Sequence, residues 1–100
     1  MSDSSDIQVH IDRLKHKDPE VRYWAVLYLE HIADAAALPA LIEVLAYGDN
    51  DMRGAAAKAL ARLGPDAKDA IHALTAAAGE DDAWVSSNAA YALRMIQGEG

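Results

Sequence analysis

Apolar residues recur along the chain at helical spacing, and the same pattern appears three times. Val21, Ala25, Leu29 and Ile32 mark one buried stripe at i, i+4, i+8 and i+11. Met52, Ala56, Leu60 and Leu63 repeat it, as do Val85, Ala89, Leu93 and Ile96. Leu29 to Leu60 is 31 residues and Leu60 to Leu93 is 33. The difference falls between Leu63 and Ile71, where Gly64-Pro65-Asp66 reads as a turn. Each stripe opens on an acid suited to capping the free amides of a first helical turn: Asp18, Asp49, and Asp81 or Asp82. Pro19 falls where its missing N–H costs nothing. A shorter apolar run precedes each stripe: Ile7, Ile11 and Leu14; then Leu38, Leu41, Ile42 and Leu45; then Ala70, Ile71, Leu74 and Ala78.

This pattern predicts six helices, over 6–17, 19–33, 37–47, 50–63, 66–79 and 82–97. The expected fold is all-α, an α-solenoid of three antiparallel helix pairs stacked as a right-handed superhelix. The repeats span 6–33, 37–63 and 66–97 as one domain, between a disordered N-terminal tail over 1–5 and a C-terminal tail over 98–100. Pro39 is placed in the first turn of its helix. Gly48 and Gly79 are expected to end two helices in the left-handed conformation. Alanine, at 22 of 100 residues, favours the helix and lets neighbouring helices approach closely.

The run Asp18-Pro19-Glu20-Val21-Arg22, continuing to Ala25, Leu29 and Ile32, resembles the HEAT repeat when read with Leu38-Pro39-Ala40-Leu41-Ile42-Glu43-Val44-Leu45. The short bacterial and archaeal form named after phycobilisome lyases is the most similar, and the likeness covers about residues 6 to 97. The resemblance implies that the helices opening with the Val-Arg pair line a concave side. It also implies a hydrogen-bonded Asp–Arg ladder between repeats, matched here by Asp18 with Arg22 and Asp49 with Arg53. The third repeat departs, with Ser86 and Ser87 where the Arg belongs. The first helix departs too, carrying His10 where the later ones carry Leu41 and Leu74, as suits a capping repeat.

With Val21, Ala25 and Ile32 turned inward, a helical wheel points Tyr23, Val26, Leu27 and Glu30 outward. The corresponding positions are Gly54, Ala57, Lys58 and Ala61, then Ser87, Ala90, Tyr91 and Arg94. Tyr and Arg are enriched at binding hot spots, so Tyr23, Leu27, Glu30, Lys58, Tyr91 and Arg94 are the candidate partner-binding residues. The alternative is that Val26, Leu27 and Tyr91 pack sideways against adjacent repeats. Trp24, Tyr28 and His31 form a second stripe, expected to seal the first pair, while Trp84 suits either end packing or contact. Exposed end faces are expected beside Trp24 and His31 and at Met95 and Ile96, and they allow a monomer or a weak homodimer through an end repeat.

Charge narrows the function classes. With 9 Lys plus Arg against 16 Asp plus Glu, the net charge of −7 argues against nucleic acid and against anionic membranes. Capping explains most of the acids, yet stacked repeats would line them along one edge and favour a basic partner. The absence of Cys excludes thiolate chemistry and, with no secretory signal in Met1–Ser5, fits a cytoplasmic protein. His10, His16, His31 and His72 form no H-x-x-x-H pair, and Glu30-His31 is single and reversed relative to the His-Glu pairs of HEAT-type iron hydroxylases. His10 and His16 are expected in solvent, and His72 on an outer face. No catalytic, metal or cofactor site is expected. The reading is a non-catalytic scaffold that binds another protein. An acidic inhibitor or immunity-type protein and a subunit of a bilin lyase or isomerase are the alternatives.

Overall fold

The computed structural model describes residues 4–98. Its elements are α1 (Ser4–Arg13), α2 (Pro19–Ile32), α3 (Leu38–Tyr47), α4 (Asn50–Leu63), α5 (Ile71–Ala78) and α6 (Ala83–Ile96). Short 3₁₀ segments at Ala35–Ala37 and Gly64–Ala70 precede α3 and α5. Among the described residues there is no strand. The protein is all-helical.

Local sequence explains where each helix starts. Asp18, Asp49 and Asp82 are the N-caps of α2, α4 and α6, their carboxylates accepting from Glu20, Met52 and Val85 N–H at 2.9, 3.0 and 3.0 Å. Asp34 does the same for the first 3₁₀ segment, accepting from Ala36 N–H at 2.7 Å. Pro19 and Pro39 both lie in the first turns of their helices.

The ends and the third pair differ from expectation. Helix α1 stops at Arg13, not at 17, because its last turn tightens into i→i+3 bonds at Leu14, Lys15 and His16 before extended Asp18 and Pro19. Ser4 and Ser5 belong to α1, and residues 1–3 and 99–100 of the expected tails lie outside the described residues. A 3₁₀ segment replaces the first turns expected of α5, with Ala67 off helical geometry at φ −97° and ψ 25°. Neither Gly48 (φ −73°) nor Gly79 (φ −92°) is left-handed; Ala33 at φ 49° closes α2 instead. Gly48 answers a different need. A Cβ there would come within 2.8 Å of the Val44 carbonyl and 3.3 Å of Met52 Cβ.

Helices α2, α4 and α6 lie side by side with α4 in the middle, and α1, α3 and α5 each pack behind the helix that follows. Being flanked on both sides explains the composition of α4: Gly54, Ala55, Ala56, Ala57, Ala59, Leu60 and Ala61 are all buried. Leu29, Leu41, Leu45, Leu60, Leu74, Val26 and Val85 are the largest fully buried side chains. Val26 is therefore not on an outer row. It packs sideways into the α2–α4 contact, the alternative the wheel left open.

The two ends of the array also depart from the sequence reading. Trp24 is 63% exposed and His31 is exposed, so they do not seal the first pair. Only Tyr28 is covered, stacked on His10 with ring centroids 3.7 Å apart at 21°. His10 is thus half-buried, not in solvent, while His16 and His72 are exposed. At the other end Ile96 is buried in the core and Met95 is half-buried; Ala83, Trp84, Ser87, Tyr91 and Arg94 are what α6 exposes.

Candidate functional site

The exposed side of α2, α4 and α6 carries a band of side chains drawn from all three repeats. Glu30 of α2 faces Lys58 of α4, Oε2 to Nζ 3.9 Å, and the Lys58 ammonium lies 5.8 Å from the centre of the Trp84 ring of α6. On α6, Arg94 lies 5.8 Å from the centre of the Tyr91 ring, one turn away. Of the six sequence candidates, the structure brings Glu30 and Lys58 together, and Tyr91 and Arg94 together. Tyr23 and Leu27 are half-buried and pack on the core, so Leu27 offers only part of its surface. Tyr91 is 46% exposed, with its ring available at the surface.

Trp84 belongs to this band and was not among the candidates. Its indole lies across α4 over Gly54, where a Cβ would sit 2.1 Å from Nε1 and 2.2 Å from Cδ1. The indole N–H donates to the Asp51 carbonyl at 3.1 Å. Glycine in the middle of α4 therefore serves a ring, not a bend. The sequence signal was present: a single glycine inside an otherwise alanine-rich helix marks a close approach. Trp84 remains 41% exposed, so it both bridges two repeats and offers a face outward.

The loop edge is organised by arginines, but not as an Asp–Arg ladder. Asp18 and Asp49 cap their own helices, Arg22 turns towards loop carbonyls and Arg53 towards a carbonyl in the last turn of α3. Arg22 donates to the His16 and Lys17 carbonyls at 2.7 and 3.2 Å. Arg53 donates to the Leu45 carbonyl at 2.7 Å and to Asn50 Oδ1 at 3.2 Å, then forks onto both oxygens of Glu80 in the next repeat. Asn50 adds a bond to Asp82 at 3.2 Å. Hydrogen bonding to Arg53 holds the Glu80 carboxyl below its ordinary range, and Glu80 in turn raises the Arg53 guanidinium.

Helix pairs of repeating register that stack on one another, each with an Asp-capped second helix, are what a repeat array requires. The family model for HEAT repeats matches residues 7–96. This chain is a HEAT-repeat protein. No curated protein matches it. HEAT repeats generally mediate protein–protein interaction and typically form non-catalytic scaffolds. Among the described residues no three His, Asp or Glu side chains converge as metal ligands, and no helix is long and apolar enough to cross a membrane.

Proposed function

We propose that this HEAT-repeat protein is a non-catalytic scaffold that binds another protein through the surface of α2, α4 and α6, the concave side of a right-handed solenoid of the short, phycobilisome-lyase-type form. The observation that carries the reading is the band running across three repeats: Glu30, Lys58 and Trp84, continued by Tyr91 and Arg94. Aromatic rings and a guanidinium on a rigid layer bind with little loss of side-chain freedom, which is how a preformed surface gains affinity. Tyr23 and Leu27 supply the apolar floor at the α2 end.

The acidic edge supports a second reading, an inhibitor-type protein that covers a basic partner. Asp49, Asp51, Glu80 and Asp81 are exposed at the starts of α4 and α6, and the Asn50–Asp82 bond draws those starts together. Binding through that edge weakens steeply with added salt; binding through the aromatic band does not.

The test is affinity capture from the source organism at low and moderate salt, comparing wild type with Tyr91→Asp/Arg94→Glu and with Trp24→Ser. Both residues of the double variant are exposed, so its melting matches wild type. The expected result is a stoichiometric protein kept by Trp24→Ser and lost by the double variant. Retention by the double variant would move the partner off this face. Leu27→Asp is not a clean probe, because Leu27 packs on the core and its substitution costs stability as well.

A further inference from the structure

The two repeat junctions can be compared by counting back from the N-caps, although Tyr47 ends α3 while Glu80 lies in the loop after α5. Glu80 stands two residues before Asp82; Tyr47 stands two residues before Asp49. Arg53 follows Asp49 by four residues, and Arg22 follows Asp18 by four. At the second junction, therefore, the arginine of one repeat is met by the Glu80 carboxylate of the next, Nη1 to Oε1 2.7 Å. At the first junction the residue at that count is Tyr47, which lines the same cleft as Arg22 and is 85% exposed. Among the described residues no carboxylate pairs with Arg22; its bonds go from Nη1 to the His16 and Lys17 carbonyls.

The space that results is a cleft of about 460 Å³, lined by Arg22 and Tyr47 with Leu14, Val44 and Met52. Those last three are almost fully buried, so the cleft has an apolar floor with a guanidinium at one side. Lys15 stands on the rim, paired with Glu43 at 3.5 Å. Asp49 also borders the cleft. It does not exclude an anion, because Asp82 occupies the same repeat position beside the Arg53–Glu80 pair.

We propose that this cleft binds a glutamate side chain of a partner segment, flanked by an apolar residue, which pairs with Arg22 as Glu80 pairs with Arg53. A guanidinium with N–H groups to spare matches a carboxylate in a fork, and the apolar floor takes the neighbouring side chain. The cleft lies on the loop edge and is independent of the band on α2, α4 and α6. The protein thus offers a second contact point, specific for acidic segments although its net charge is −7.

The probe is the blocked peptide acetyl-Ala-Leu-Glu-Leu-Ala-amide, titrated into the full chain and followed by NMR at the Arg22 Nε–H, the Tyr47 amide and the methyl groups of Leu14, Val44 and Met52. Saturable shifts at those groups are expected. The Gln analogue should bind about tenfold more weakly, since a hydrogen bond to a charged group is lost. Tyr47→Glu places a carboxylate on the lining of the cleft, at the same count before the N-cap as Glu80, and should abolish binding by competing for Arg22. Tyr47 is exposed, so this variant folds. Equal affinity for the Gln analogue, unchanged binding by Tyr47→Glu, or shifts located elsewhere would each overturn the proposal. Tighter binding of acetyl-Ala-Leu-Leu with a free C-terminus would also overturn it, replacing side-chain recognition with capture of a chain end.

Discussion

The junction between the first and second repeats and the junction between the second and third share one order of helices but are fastened differently. Across the second, Trp84 lies over Gly54, its indole N–H on the Asp51 carbonyl, while Arg53 forks onto Glu80 and Asn50 reaches Asp82. Across the first, the polar links are two ion pairs between exposed or half-exposed side chains, Lys15–Glu43 at 3.5 Å and Glu30–Lys58 at 3.9 Å. Pairs of that kind contribute little in water. Apolar burial is common to both, and the repeat counterparts Val26 and Ala57 are each fully buried. The contrast teaches that the repeat pattern specifies the stacking, while the residues just outside it decide how firmly each junction is held and what surface stays open.

The Trp84–Gly54 pair is the place where breaking the contrast has the largest expected effect. Trp84→Ala should cost about 2 kcal/mol in urea unfolding, less than a fully buried tryptophan because the ring is partly exposed. Gly54→Ala should change sign with its background. Alone it displaces the ring, and the loss exceeds the gain of about 1 kcal/mol in helix propensity. In Trp84→Ala the ring is gone, so Gly54→Ala should stabilise by about 1 kcal/mol. A double-mutant cycle with no coupling would show that the ring's seat on α4 adds nothing to the junction.

The arginines come next. Arg53→Met leaves the Leu45 carbonyl and Glu80 without their donor, and should cost about 2 kcal/mol. Arg22→Met removes bonds only to the His16 and Lys17 carbonyls and should cost about 1 kcal/mol. Equal costs in chemical denaturation would mean that the cross-repeat fork adds nothing beyond the loop clamp, and that the two junctions are equally strong.

How far the sequence carried this picture depended on the range of each signal. Caps and stripes are local: an Asp two or three residues before a free N–H, or apolar residues on one 3.6-residue period, can be read without knowing the neighbours. The HEAT pattern and the all-helical fold followed from them. The wheel placed Val26 on the same outward side as Tyr23 and Leu27. It could not say that α4 would cover Val26 and leave the others partly open, because that depends on where the next helix lies. The same limit explains Trp24, which is exposed on α2, a helix with α4 on one side of the layer among the described residues, while its repeat counterpart Ala55 is buried on α4, which has a helix on both sides. Trp84 was legible only as a pair with Gly54, across 30 residues of sequence. The candidate site was accordingly half readable: the wheel named Glu30, Lys58, Tyr91 and Arg94, whereas Trp84 was left between end packing and contact, and its seat over Gly54 beside Lys58 was not foreseen.

The smallest effect separates the junctions by pH. Arg53 lowers the folded-state pKa of Glu80 below its unfolded value, chiefly by hydrogen bonding and further by charge. A depressed carboxylate pKa contributes stability that is fully present above the unfolded value of about 4.3. That contribution is lost as pH falls through the folded value, because the unfolded chain takes up the proton first. Wild type should therefore lose stability faster than Glu80→Gln as pH is lowered from about 5 to about 3. Salt at about 0.5 M should shrink the difference, since Glu80 is exposed. Arg53→Met should remove the same acid dependence, whereas Arg22→Met should leave it intact, because the first junction has a tyrosine where the second has the titrating group. Denaturant midpoints for wild type and the three variants across that range decide the matter. An acid dependence that Arg22→Met removes and Glu80→Gln leaves unchanged would place the acid-sensitive link at the first junction and reverse the comparison.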